Sequence, residues 1–315
     1  MSPDPPVLLA VVVNWNGGEQ NLACLASLED AGLPPERVIF VDNGSTDGSL
    51  ERVKADYAEL RTIENKSNLG FGAGANQGAK LALEAGASAV FFVNNDVTLP
   101  VGSVTRLVEH LLSDAKIGVL GPRVLYPAAE NGVSRVWCAG GSMTWRQNLS
   151  TLRGHGALDG PEYRAVEDVD YIAGCAMIVR REVLETVGNF EDAYFAYMED
   201  VDLCLRTSKA GWRVLHAGDV ACYHAPSSAT GGGYNPRRKY MQGVNSVHFL
   251  RTYGGTREWL RFVLFDVLTL PFLWIAGLFQ GRAKAAIAKG VGIVHGLLGR
   301  RVEAKQLAPG ASWLW

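Results

Sequence analysis

Short apolar runs that alternate with stretches of helical spacing restrict this chain more than any other feature. Val7-Leu-Leu-Ala-Val-Val-Val13 is β-branched and too short for an ordinary helix, so it reads as a strand buried on both faces. Asn14-Trp-Asn-Gly-Gly18 breaks it. Residues 19 to 31 suit a helix, with Leu22, Leu25 and Leu28 at helical spacing, and after Pro34-Pro35 the run Arg37 to Val41 makes a second strand ending at Asp42. The pattern repeats with a helix near 50–60, a short strand near 61–64, a Gly-rich turn, a helix near 73–85 and the strand Ala89 to Val93. Such alternation predicts an α/β fold of right-handed βαβ units, with a mainly parallel sheet flanked by helices. With 315 residues, 48% hydrophobic and 20% charged, the chain can bury the core that this fold needs, as one large domain or two smaller ones.

In open α/β sheets, ligands bind beyond the carboxyl ends of the strands. Here those ends carry Asn14-Trp15-Asn16, Asp42-Asn43-Gly44-Ser45, Asn68-Leu-Gly-Phe-Gly72 and Asn94-Asn95-Asp96, so four loops present amides and carboxylates to one edge. From about Val124 to Val169 the pattern weakens; a strand-like Tyr171 to Val179 and a helix from Arg181 to Val187 follow. This marks the stretch from about 124 as the variable, substrate-facing half of residues 1–254.

Five motifs in this order resemble the family-2 inverting glycosyltransferases of the GT-A fold, especially their rhamnosyltransferase-like branch. They are Val-Val-Val-Asn-Trp-Asn-Gly (11–17), Val-Asp-Asn-Gly-Ser-Thr-Asp-Gly-Ser (41–49), Asn-Leu-Gly-Phe-Gly-Ala-Gly-Ala-Asn (68–76), Val-Asn-Asn-Asp-Val (93–97) and Tyr-Met-Glu-Asp-Val-Asp-Leu-Cys-Leu-Arg (197–206). The resemblance spans roughly Leu8 to Gly254 and implies a nucleotide-binding half, about 1–123, and an acceptor-binding half, 124–254. It implies a nucleoside-diphosphate-sugar donor, dTDP-rhamnose or a UDP-sugar, with Asp42 accepting from the imide N–H of the base and Asn14 and Asn16 holding base and ribose. Asn43 and Asn95 join the donor site, and Asn68, Gly70 and Asn76 close the floor of the nucleotide pocket. A turn followed by a helix cap is the competing reading of Asp42 to Asp47.

The resemblance also places Asn94-Asn95-Asp96 where the family carries its metal motif, so Asp96, with His224 as a further ligand, would hold Mg²⁺ or Mn²⁺ against the donor diphosphate. Glu199, Asp200 and Asp202 start a helix, where the dipole favours carboxylates. By resemblance Asp200 is the base that deprotonates the acceptor hydroxyl, with Glu199 and Asp202 on the acceptor side. One in-line displacement would then invert the anomeric centre, and Arg237 and Arg238 are candidates to contact the leaving diphosphate, a solvated basic face being the alternative. Gln147 and Gln242 are not followed by the Q-x-x-R-W pattern of processive synthases, so one sugar is expected per acceptor.

Three other readings are weaker. Gly70-Phe-Gly72-Ala-Gly74-Ala75 fits a dinucleotide fingerprint, but two βα units precede it. A sugar nucleotidyltransferase would need a base in Asn16-Gly-Gly-Glu19, and Asp96 and Asp200 weigh against an inactive glycan-binding relative.

Charge is segregated: residues 255–315 carry 8 Lys/Arg and 3 Asp/Glu, so this stretch is +5 while the whole chain is −2. An acidic body argues against nucleic acid as partner. Phe262 to Phe279 is apolar and near the lower length for a span, but Asp266 and Pro271 interrupt it. An extension lying in the plane of an anionic membrane surface is expected, with helices packed on the catalytic domain as the alternative. Five scattered cysteines without a C-x-x-C pair, and an N-terminus without a basic region, suggest reduced thiols and a cytoplasmic enzyme, peripheral on the inner face of the membrane, acting on a glycan or lipid-linked glycan acceptor.

Overall fold

The computed structural model describes residues 7–128, 132–226 and 234–315. Strand β1 (Leu8–Asn14) leads into α1 (Gln20–Asp30), β2 (Val38–Asp42), α2 (Ser49–Asp56), β3 (Arg61–Glu64), α3 (Phe71–Glu84) and β4 (Ala89–Asn94). These match the expected elements within a few residues. The four strands pair in parallel as β4-β1-β2-β3. Every residue of β2 is buried and β1 is buried except at Val13, which accounts for their unbroken apolar sequence.

The next elements are β5 (Val97–Thr98), α4 (Ser103–Ser113), β6 (Ile117–Leu125), β7 (Val136–Cys138), β8 (Gly141–Met143), β9 (Ser150–Leu152), β10 (Val166–Asp168) and β11 (Ala176–Arg180). Helix α5 (Arg181–Thr186), α6 (Glu199–Lys209) and β12 (Arg213–His224) complete the catalytic body. The main sheet runs β10-β12-β6-β11-β4-β1-β2-β3. Its second half is mixed: β6 and β12 are parallel, but β11 is antiparallel to both β4 and β6. The sheet is therefore wholly parallel only over β4-β1-β2-β3, where successive βαβ crossovers build it. Beyond Leu125 the chain makes short hairpins before returning through β11.

The helices of residues 234–315 are packed on this body. Helix α7 (Pro236–Tyr253) crosses α10 (Ala283–Leu297) at contacting glycines: a Cβ on Gly243 would lie 2.4 Å from the Lys289 carbonyl oxygen, and one on Gly292 would lie 2.2 Å from that of Tyr240. Between them, α8 (Thr256–Phe262), a π-turn (Val263–Val267) and α9 (Leu270–Gln280) form one apolar helical segment, Thr256–Gln280, with a mean hydropathy of 2.1 over its most apolar window. Pro271 sits in the first turn of α9, where its missing N–H costs nothing. A short α11 (Ala304–Leu307) follows.

Asp266, which interrupts the apolar run in the sequence, is fully buried and forms an ion pair with the buried Lys289 of α10. The Lys289 ammonium also donates to Asn148 Oδ1 at 2.8 Å, and the Asn148 amide donates to Asp266 Oδ2 at 3.0 Å. The π-turn thus points its one charge inward. The outer flank stays apolar, with Leu268, Phe272 and Phe279 at 55%, 72% and 88% exposure.

Lys289→Met should leave the Asp266 carboxylate buried and unpaired, lowering unfolding free energy by about 3–5 kcal/mol. Denaturant unfolding measures this. Combining it with Asp266→Leu should restore most of the loss, and a single variant as stable as wild type would show that the pair carries no such load.

Candidate active site

The carboxyl ends of β1, β2 and β4 meet around one amide. Asn14 is completely buried. Its Nδ2 donates to Asp42 Oδ1 at 2.8 Å and lies 3.0–3.1 Å from the Ser45 and Ser49 hydroxyls, while its Oδ1 accepts from Asn95 Nδ2 at 2.9 Å and the Gly17 amide at 3.0 Å. Asn95 also donates to Asn21. Asp42 accepts from Asn14 and the Ser45 hydroxyl on one oxygen and from the Gly44 and Ser45 amides on the other. These fill the four acceptor positions of a carboxylate. The cap-and-turn reading therefore describes Asp42 here. Asn14, Asp42 and Asn95, all expected at the donor site, are joined to one another by hydrogen bonds across the strand ends.

Asn16, at φ 53° and half-buried, accepts from the Thr46 amide and lines a 510 Å³ cavity. Gly17, Gly18 and Gln20 share its near wall, and Pro127, Ala225 and Pro226 face them. This volume lies within the usual range for small-molecule sites, about 300–1,000 Å³.

The glycine turn is a second cluster. Asn43 donates to the Gly70 carbonyl at 2.9 Å and accepts from Asn65, and Asn68 accepts from the Gly70 amide. Gly70 has φ 92°, and a Cβ there would sit 2.4 Å from the Phe195 carbonyl oxygen, so only glycine lets the turn approach that segment. The Asn76 side-chain amide bonds to Phe190 and Asp192, clipping α3 to the chain before α6.

Asp96 and His224 do come together, with the imidazole Nε2 3.1 Å from the carboxylate. Both are largely buried, and the β5–β12 pairing that places His224 opposite Val97 brings them there. The Trp137 ring holds the imidazole edge-on at 4.6 Å. Among the described residues no third His, Cys, Asp or Glu completes a cation site. One carboxylate and one imidazole still suit a divalent cation whose other ligands are phosphate oxygens and water.

The 174–175 turn bridges this pair to the helix of carboxylates. The Cys175 carbonyl accepts from Asn94, and the Gly174 amide donates to Asp200 Oδ2 at 2.9 Å. Asp200 is partly exposed; burial pushes its carboxyl above the usual range, against the hydrogen bonds from Gly174 and Val201. Burial and the neighbouring Asp200 charge push the Glu199 carboxyl well higher. Asp202 is turned away. It accepts from Arg206 at 2.7 Å and from the Tyr253 hydroxyl at 2.6 Å, and so ties α6 to α7.

Nothing in the sequence pattern singles out the group that holds this helix start in place. Tyr197 and Met198, immediately before Glu199, have φ of 71° and 80°, a conformation that costs non-glycine residues roughly 1–3 kcal/mol each. The buried Asn245 of α7 donates to the Ala196 and Tyr197 carbonyls, both at 2.8 Å. From the opposite side the Phe71 amide donates to the Phe195 carbonyl. Arg238 stacks on the Tyr197 ring at 5.0 Å, so it borders this turn, with Arg237 beside it at the start of α7.

A sequence model described as Glycosyl transferase family 2 matches residues 10–188, more than half of the chain. The chain is 32% identical over 244 residues to N-acetylglucosaminyl-diphospho-decaprenol L-rhamnosyltransferase of Mycobacterium tuberculosis, an alignment covering 71% of this chain and 78% of that protein. In fold it is similar to mannosyltransferase PcManGT from Pyrobaculum calidifontis, solved with GDP-Man and Mn²⁺, at a TM-score of 0.54 and 15% identity over 96% of this chain and 90% of that one. GalNAc-T7, solved with UDP, GalNAc and Mn²⁺, aligns at a TM-score of 0.56 and 13% identity over 82% of this chain, which spans 54% of its length.

Asn245→Ala should lower kcat about 10- to 100-fold through misplacement of the helix start, with donor KM within about twofold of wild type. Asn245→Asp keeps the shape but opposes two carbonyl oxygens with a carboxylate, so its kcat should fall at least as far. Steady-state kinetics decide; normal kcat in both variants would free the turn from Asn245.

Proposed function

The chain belongs to glycosyl transferase family 2, and from that premise we propose that it moves one sugar from a nucleoside diphosphate onto a lipid-linked glycan with inversion. It is a glycosyltransferase of the rhamnosyltransferase-like kind on an α/β GT-A scaffold. The observation that carries the mechanism is the convergence of the Asp96–His224 pair and Asp200 on one sheet edge, joined through Gly174 and Cys175.

The nucleoside lies over the β1–α1 turn against Asn16, on the floor built by Asn14, Asp42, Asn43 and Asn95. Asp96 and His224 would hold a divalent cation, Mg²⁺ or Mn²⁺, whose chemistry when bound would be to neutralise the leaving diphosphate. Arg237 and Arg238 add positive charge beside it. Asp200, held by the Gly174 and Val201 amides, takes the proton from the acceptor hydroxyl. The acceptor oxygen forms its bond to the anomeric carbon as the bond to the diphosphate breaks on the opposite face. Glu199, buried and easily kept neutral, limits the negative charge next to the base.

The relative from Mycobacterium tuberculosis is named for rhamnosyl transfer to a lipid-linked acceptor, which supports an acceptor of that class and, of the two donors considered, dTDP-rhamnose ahead of a UDP-sugar. The exposed apolar flank of Thr256–Gln280 and the basic residues around it support attachment to an anionic membrane surface from the cytoplasmic side.

Asp200→Asn should keep donor affinity and lose at least about 10²-fold in turnover. Because the base must be ionised and burial raises its pKa, kcat/KM of the wild type should fall with decreasing pH at a midpoint above the ordinary Asp value, about 3.9. Asp96→Ala should lose cation-dependent binding of nucleoside diphosphate, read by thermal shift with and without Mn²⁺. Wild-type turnover in the first variant, or unchanged cation-dependent binding in the second, would remove the assigned role.

A further inference from the structure

Positive charge at the start of α7 is left unbalanced. Arg237, Arg238 and Lys239 follow one another in its first turn, where the helix itself is positive. Among the described residues none of the three, nor Arg282 beyond α9, forms an ion pair with a carboxylate. Lys239 and Arg282 instead converge on one exposed ring: the Lys239 ammonium lies 5.0 Å and the Arg282 guanidinium 4.9 Å from the centre of Tyr234. The Nε atoms of Arg237 and Arg238 are buried without an acceptor among the described residues. Burial, Lys289 and Arg238 lower the Lys239 ammonium to about 8, and Asp266, which opposes this, is already bound to Lys289.

The cluster lies between two regions of different chemistry. Arg238 stacks on Tyr197, three residues before Asp200. Arg282 follows the end of α9, whose exposed side chains are Phe272, Ile275, Leu278 and Phe279. A ligand that answers to both is an anion carrying a long hydrocarbon chain.

The geometry points to Lys239 and Arg282, around Tyr234, as a second anion site, which takes the diphosphate of a prenyl-type acceptor while its hydrocarbon chain follows the apolar flank of α9. The site shares no residue with the Asp96–His224 pair, where the donor diphosphate was placed, and it rests on the transferase reading only in naming this ligand as the acceptor. Two cationic heads on a diphosphate form charge-assisted contacts that a neutral alcohol cannot make. The hydrocarbon adds burial that inorganic pyrophosphate lacks.

The test is binding of farnesyl diphosphate to the full chain with the donor site filled by dTDP and Mn²⁺, compared with farnesol, inorganic pyrophosphate and phosphatidylglycerol vesicles. Farnesyl diphosphate should bind at least about tenfold more tightly than either fragment, and Lys239→Gln/Arg282→Gln should weaken it about tenfold or more. Binding should also weaken as pH rises through the Lys239 value. Equal binding in the double variant overturns the site, and displacement of farnesyl diphosphate by dTDP would make it part of the donor pocket. If vesicles without diphosphate show the same dependence on Lys239 and Arg282, the cluster reads headgroups and the acceptor assignment fails. A chain that binds farnesyl diphosphate as stated but transfers no sugar would sink the transferase mechanism and leave the site standing.

Discussion

A fully buried amide, Asn14, is the interaction on which the site depends. It stands at the end of β1, with neighbours β2 and β4 ending in Asp42 and Asn94, so three loops must leave the sheet within a few ångströms of each other. Loops in such a position carry unpaired polar groups, and leaving one buried without a partner costs about 1–3 kcal/mol. Asn14 answers donors on one side and acceptors on the other, and Asp42 and Asn95 complete the circuit. An apolar residue at position 14 would orphan several of these groups together. The polar strand ends are therefore a folding requirement first, and the cavity beside Asn16 is formed on top of it.

The C-terminal stretch follows a similar logic with charges. An apolar helix containing Asp266 would be unsuited to a hydrocarbon environment if that carboxylate faced outward. The π-turn rotates it inward onto Lys289, and Asn148 closes the remaining contacts from the catalytic body. Asn148 lies in a loop where Trp145, Asn148 and Leu149 all have positive φ, so the body adopts an unusual conformation to make this connection. The result is a flank without exposed charge over α9, bordered by the basic residues that give the stretch its net +5.

Local pattern made the parallel half legible because each strand is a short run of apolar residues with a polar end, and each crossover helix has its own spacing. The motif residues could be found in the same way, yet their tasks could not. Asn76 sits one helical turn from the glycines of its motif but faces Phe190, 114 residues away. Asn245 carries no motif and acts on a turn 48 residues earlier. Asp266 read as an obstacle because its partner Lys289 is set by the crossing of α10 on α7. In each case the deciding contact is long-range, fixed by how helices pack and invisible to periodicity. The strand β11 was legible in the run to Val179, but its antiparallel direction escaped for the same reason, since its neighbours β4 and β6 are fixed by the sheet.

These long-range contacts form one rigid path. The apolar segment is fastened to α10 by Asp266 and Lys289, α10 meets α7 at Gly243 and Gly292 where no side chain can intervene, and Asn245 of α7 holds the backbone just before Asp200. Left-handed backbone at Tyr197 and Met198 persists only because its surroundings fix it from several sides. The same packing that keeps Asp200 half-buried raises its pKa, so the basicity of this carboxylate and its position have one physical origin. The helices after Gly254 consequently shape the strand-end region as much as its own loops do: one set of contacts orders the ends of β1, β2 and β4, the other holds the backbone just before Asp200.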